Sequence, residues 1–179
     1  MSDASFAVQP VPRPLLVERV TGAIALIGGI LSLAVATLVV VSVTGRWLSG
    51  TALGRAFPWL GPIPGDFELV QMGTAVSIFS FLSYCQARRG NIFVDTFTTR
   101  LSKPANARID AVWDVVYAAM MTFVGVCLAT GAVEHYRSGQ TTMLLQLIVW
   151  PALAICAALT FVLAATALAT AAARLGRGT

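Results

Sequence analysis

VTGAIALIGGILSLAVATLVVVSVTG occupies residues 20–45 and contains no Asp, Glu, Lys, Arg or His. A bilayer core of about 30 Å is crossed by roughly 20 apolar helical residues, so this stretch alone is long enough to span. Three more stretches lack Asp, Glu, Lys and Arg: Leu69 to Gln86, Val115 to Val133, and Ser138 to Ala173. The whole chain of 179 residues is 57% hydrophobic and only 11% charged, against about 25% charged in a soluble domain. Such a composition cannot cover a water-facing surface. The fold class that follows is an all-α integral membrane protein with four transmembrane helices. The spans are expected near 20–45, 67–87, 112–134 and 147–170, inside a membrane domain of residues 20–173. A flexible N-terminal tail, 1–19, precedes it and a short C-terminal tail, 174–179, follows.

Ala34-Val35-Ala36 has the form of a signal-peptidase site. The apolar run continues past it to Thr44, beyond a cleavable h-region of 7–15 residues, so the segment reads as a signal anchor. Charge fixes the orientation. With four spans, both tails and the central loop share one side, which carries nine of the twelve Lys and Arg residues; the opposite side carries three. By the positive-inside rule the tails and the central loop are cytoplasmic. The net charge of +4 reflects this bias, and no nucleic-acid module is evident. Trp47, Tyr136, Tyr84 and Trp113 fall at span ends, where amphipathic rings favour the headgroup level.

The segments between spans add detail. Residues 45–68 are rich in Gly and Pro yet apolar, which fits a loop lying on lipid or a partner. Asp66 and Glu68 follow at the start of span two, where a carboxylate accepts from free N–H groups and complements the helix dipole. In the central loop, Asn91 is a good N-cap, and Phe93, Phe97 and Leu101 recur at i, i+4 and i+8. That pattern predicts a short amphipathic cytoplasmic helix lying on the membrane surface. Pro104 ends it, and Lys103-Pro104 opens the next helix. Asp110 and Asp114 read as solvated or paired carboxylates. Pro151 is expected to kink the last helix. Small residues at spacing four (Gly28, Ser32, Ala36; Gly125, Ala129; Ala165, Ala169, Ala173) suggest close helix packing.

Chemistry is sparse. The span interiors hold no charge, only hydroxyls such as Thr37, Ser77, Ser80, Thr122 and Thr160. Cys85, Cys127 and Cys156 form no C-x-x-C pair and read as small buried hydrophobes. His135 is the sole histidine and reads as an interfacial residue, so neither a bis-His haem nor a zinc site fits within the chain. We expect no catalytic residue, no cofactor and no metal. The chain reads as a subunit rather than an enzyme or a self-sufficient transporter.

The run from Pro62 to Ser102 carries a Pro/Gly turn with Gly65, then Glu68-Leu69, then Arg88-Arg89. The signature Gly90-Asn91-Ile92-Phe93-Val94-Asp95 and an amphipathic stretch to Leu101 follow. This resembles the small membrane subunit of tripartite ATP-independent periplasmic (TRAP) transporters, the DctQ-like family. That family usually has His where this chain has Asn91, which keeps a capping side chain but removes a titratable one. The resemblance implies a scaffold for a large DctM-like permease subunit, working with a periplasmic DctP-like solute-binding protein in ion-gradient-driven uptake of an organic acid. It marks Glu68, Arg88, Arg89, Gly90, Asn91, Val94, Asp95 and Leu101 as motif and interface residues in the bacterial inner membrane. The alternatives are an accessory subunit of another membrane complex and a small homo-oligomeric channel.

Overall fold

The computed structural model describes residues 15–51, 61, 63–88 and 103–175. These form four helices and no strands: α1 (Leu15–Ser49), α2 (Asp66–Arg88), α3 (Lys103–Ser138) and α4 (Trp150–Leu175). Three of them contain segments long and apolar enough to cross a membrane: Val17–Ser49, Arg108–Ser138 and Trp150–Ala173. The 23 residues of α2 would extend about 35 Å at 1.5 Å per residue, so length does not set it apart. Composition does: Ser77, Ser80, Ser83 and Gln86 are all buried, as is Glu68. These polar groups are turned toward protein, so the less apolar helix hides its polar side chains among its neighbours.

Packing runs in the order α1–α2–α4–α3. The layer therefore has α2 and α4 in its middle and α1 and α3 at its margins. Leu26, Ile27, Ile30 and Leu33 of α1 are each more than 60% exposed, which leaves a broad apolar surface on that marginal helix.

The buried positions recur every seven residues. In α1 they include Thr21, Gly28 and Ser42, with half-buried Val35 between; in α3, Ala111, Ala118, Gly125 and Ala132; in α4, Ala157, Ala164 and Ala171. A seven-residue repeat keeps one seam facing a neighbour along a gently supercoiled pair. This corrects part of the spacing-four reading. Gly28, Gly125 and Ala129 do lie at contacts, but Ser32, Ala36, Ala165 and Ala169 are exposed. Alanine is abundant enough that several stripes of small residues coexist, and in α1, α3 and α4 the heptad-spaced positions are among the most deeply buried of them. At Gly28 a Cβ would stand 2.6 Å from Ser80 Cβ, so α1 and α2 approach to backbone distance there.

Two further expectations change. Pro151 lies in the first turn of α4, where its missing N–H breaks no helical bond, so it starts the helix instead of kinking it. The preceding residues form a tight turn, with Thr141 bridged to Ile148 and Thr142 N–H donating to the Leu147 carbonyl at 2.9 Å. Of the cysteines, only Cys156 is buried; Cys85 is half-buried and Cys127 exposed. Lys103-Pro104 does open α3, as its sequence suggests. The amphipathic helix read at 91–102 lies outside the described residues.

Candidate functional site

The motif residues that are described, Glu68 and Arg88, stand at opposite ends of α2. They are about 30 Å apart along the helix, so they form no common site. Arg89, Gly90, Asn91, Val94, Asp95 and Leu101 lie outside the described residues.

At the first end, the backbone turns into α2 through Gly65, which has φ +73°. Asp66 begins the helix and its Oδ1 accepts from the Phe67 N–H at 2.9 Å. Its other oxygen accepts from the Ser42 hydroxyl at 2.5 Å and faces Arg46 Nη2 at 3.5 Å. The Ser42 hydrogen bond, more than Arg46, holds the Asp66 carboxyl below its ordinary value. Asp66 therefore does more than cap: it ties α1 to α2. Glu68 does not cap its own helix at all. Its carboxylate is buried and accepts from the backbone N–H of Leu144 (2.8 Å) and of Leu145 (2.9 Å) in the α3–α4 turn. Gly65 packs on the same turn, where a Cβ would come within 2.6 Å of Leu145 Cγ. The Pro/Gly turn and the Glu read from sequence as neighbours thus act together on a segment some 75 residues further along the chain.

At the second end, Arg88 Nη2 pairs with Glu18 Oε1 at 3.0 Å, while its Nε donates to the Tyr84 hydroxyl at 3.0 Å. The guanidinium also lies 5.4 Å from the Tyr84 ring centroid. Two residues earlier, Gln86 is 4% exposed and its amide donates to Asp114 Oδ1 at 3.2 Å and to Thr170 Oγ1 at 3.4 Å. This joins α2, α3 and α4. Asp114 is buried, so of the two readings offered for it, the paired one holds. Gln86, Glu18, Ser42 and Thr170 carried no assignment in the sequence reading. A signal existed for the first: Ser77, Ser80, Ser83 and Gln86 recur every three residues within an apolar stretch, as a polar stripe turned inward does.

The interior hydroxyls are satisfied locally. Thr37, Ser77, Ser80, Thr122 and Thr160 each donate to the carbonyl four residues earlier, so each is engaged within its own helix. Among the described residues no group of His, Cys, Asp and Glu has the arrangement of a metal site. His135 is half-buried, with Nδ1 unpartnered.

An all-helical chain with three long apolar helices, tied by polar side chains at both ends, is a membrane protein whose described residues assemble no catalytic constellation. Residues 38–177 match the family model of "Tripartite ATP-independent periplasmic transporters, DctQ component", and the chain belongs to that family. No curated protein and no solved structure matches it significantly.

Proposed function

We propose that this chain is the static small subunit of a TRAP transporter. It scaffolds a large DctM-like permease subunit that imports an organic acid, delivered by a DctP-like periplasmic binding protein and driven by an ion gradient. The family match over residues 38–177 carries this reading. Its layer geometry supports it: polar ties fix the helices to one another, and the interior hydroxyls bond back to their own helices, which suits a scaffold better than a pore. In this reading α2 is the fourth span, sandwiched between α1 and α4. Both termini and residues 89–102 then lie on the cytoplasmic side of the inner membrane, an orientation that the distribution of Lys and Arg supports.

The motif divides by role. Glu68 works internally on the α3–α4 turn, while Arg88 pins the end of α2 from which Arg89, Gly90, Asn91, Val94, Asp95 and Leu101 continue as the docking segment for the large subunit. Purification of the tagged chain from native membranes in mild detergent tests this. A polytopic permease recovered at near-equal stoichiometry, and lost or weakened with Asp95→Ala, is the expected result. Recovery of self-oligomers alone would sink the proposal and favour the channel reading.

A further inference from the structure

α2 and α3 both pack on α4 without packing broadly on each other. Between them lies a cavity of about 260 Å³ with α4 as its floor. Its walls are apolar: Met72, Ala75 and Phe79 of α2, Leu128 of α3, and Ala152 of α4. Its character changes along its length. Glu68, Gln71 and Thr142 line the end beside the α3–α4 turn, and nothing polar follows toward Phe79 except the thiol of Cys156. From Glu68 to Phe79 the slot runs about 16 Å along the α2 axis.

These dimensions discriminate between occupants. One leaflet of hydrocarbon is about 15 Å deep, half of a core of about 30 Å, so the slot is one leaflet long. A partner helix about 10 Å across would fill on the order of 1,000 Å³ over that length, several times the volume present. A slot of this length and volume suits a single extended acyl chain. The polar end selects the headgroup. Among the described residues its only charged lining residue is Glu68, and no Lys or Arg lines the slot. The Leu144 and Leu145 amides bond one to each oxygen of the Glu68 carboxylate, and the Thr142 side chain and the Met143 backbone also bond to it, so what it offers an incoming headgroup is chiefly its negative charge. That charge, with the Gln71 amide oxygen beside it as a further acceptor, suits a positively charged N–H donor, and a purely anionic headgroup there would face Glu68.

We propose that this slot binds one acyl chain of a phospholipid from the leaflet on the Glu68 side, with an ammonium headgroup seated at Glu68, Gln71 and Thr142. The lipid fills the gap between α2 and α3 and completes a layer that the described residues leave open.

The test is lipid retention by the full chain, with any partner that co-purifies, in nanodiscs of equal parts phosphatidylethanolamine, phosphatidylglycerol and phosphatidylcholine. Detergent extraction and native mass spectrometry then count the lipid that stays bound. About one phosphatidylethanolamine per chain is expected, enriched at least several-fold over the other two, because choline has no N–H to donate and glycerol no positive charge. Ala152→Phe and, separately, Ala75→Leu fill the slot and should each remove most of that lipid while helicity is retained. Equal retention of the three headgroups overturns the proposal without recourse to any variant, so it remains testable even where a variant fails to fold. It is equally overturned by slot-filled variants that keep their phosphatidylethanolamine, or by a cysteine at position 152 that crosslinks to a partner protein in chains carrying no bound lipid.

Discussion

The two ends of α2 are held by different physics. At the Gly65–Glu68 end the ties run from carboxylates to backbone or to a neighbouring hydroxyl: Glu68 to two amides of the α3–α4 turn, Asp66 to Ser42. At the Gln86–Arg88 end they run from side chain to side chain between helices: Gln86 to Asp114 and Thr170, Arg88 to Glu18. The first kind fixes a turn in one conformation, because backbone amides have no rotamers to lose. The second fixes the spacing of helices up to Arg88, beyond which the proposed docking segment follows in the sequence. One end is built to hold a loop shape, the other to hold helix positions.

If that contrast is right, damage at the two ends differs in kind. The largest effect is expected from Gly65→Val. Left-handed backbone costs a side-chain-bearing residue roughly 1–2 kcal/mol, more for a β-branched one, and a Cβ at 2.6 Å from Leu145 Cγ forces the Leu145 side chain, or the turn that carries it, to shift. A loss of about 3 kcal/mol or more, read as a large drop in the thermal midpoint of the detergent-solubilised protein, follows; an unchanged midpoint would mean the turn relocates freely. Next is Gln86→Leu at the other end. Removing a buried donor shared by Asp114 and Thr170 costs about 1–3 kcal/mol. It should loosen α3 against α2 and α4 together, seen as faster amide exchange along the first half of α3.

Glu68→Gln has a narrower effect. An amide presents one acceptor oxygen where the carboxylate presents two, so one of the Leu144 and Leu145 amides loses its partner. Exchange at those two amides should rise at least tenfold while the helix cores stay protected. Exchange that rises through α3 and α4 alike would mean the two ends are not separable.

Acid provides a gentler probe of the same end. Asp66 has its carboxyl held low, first by the Ser42 hydroxyl, with the Phe67 amide and Arg46 adding to it against partial desolvation. A depressed folded value means that the tie contributes fully above the ordinary Asp range and is lost as pH falls through the lower folded value. Between neutral pH and about 5 the α1–α2 contact near Asp66 should not change. It should weaken only in strong acid, and Ser42→Ala should move that onset to higher pH. Fluorescence of Trp47, five residues from Ser42 on α1, is one readout.

The sequence carried the class of fold because charge-free runs of membrane length need no tertiary information. The start of α3 at Lys103-Pro104 was legible for the same reason: a local rule governs it. What escaped was non-local. Nothing in the chain near Glu68 says that its partners are Leu144 and Leu145, since sequence rules for a first-turn Glu point to its own helix. Pro151 was misread because a helix start and a kink share one residue, and what decides between them is the turn at 139–149, an unremarkable Gly- and Thr-containing run within a stretch that reads as continuous apolar chain. The α4 alanine stripe failed because spacing alone does not choose among equivalent faces.

The smallest effect is expected at the most conspicuous ion pair. Arg88 and Glu18 approach to 3.0 Å, but their side chains remain 52% and 32% exposed. A half-exposed pair is worth about 0–1 kcal/mol and is screened by salt. Arg88 also keeps the Tyr84 hydroxyl and ring when Glu18 is neutralised. Glu18→Gln should therefore leave the thermal midpoint within about a degree of wild type in moderate salt, a difference shrinking further as salt is raised. Arg88→Leu should cost more, because it removes the Tyr84 contacts as well and with them the restraint on the last turn of α2. If Glu18→Gln proved as damaging as Gln86→Leu, the pair would be buried by a partner in the assembled transporter. The contrast between the two ends would then hold for the isolated chain only.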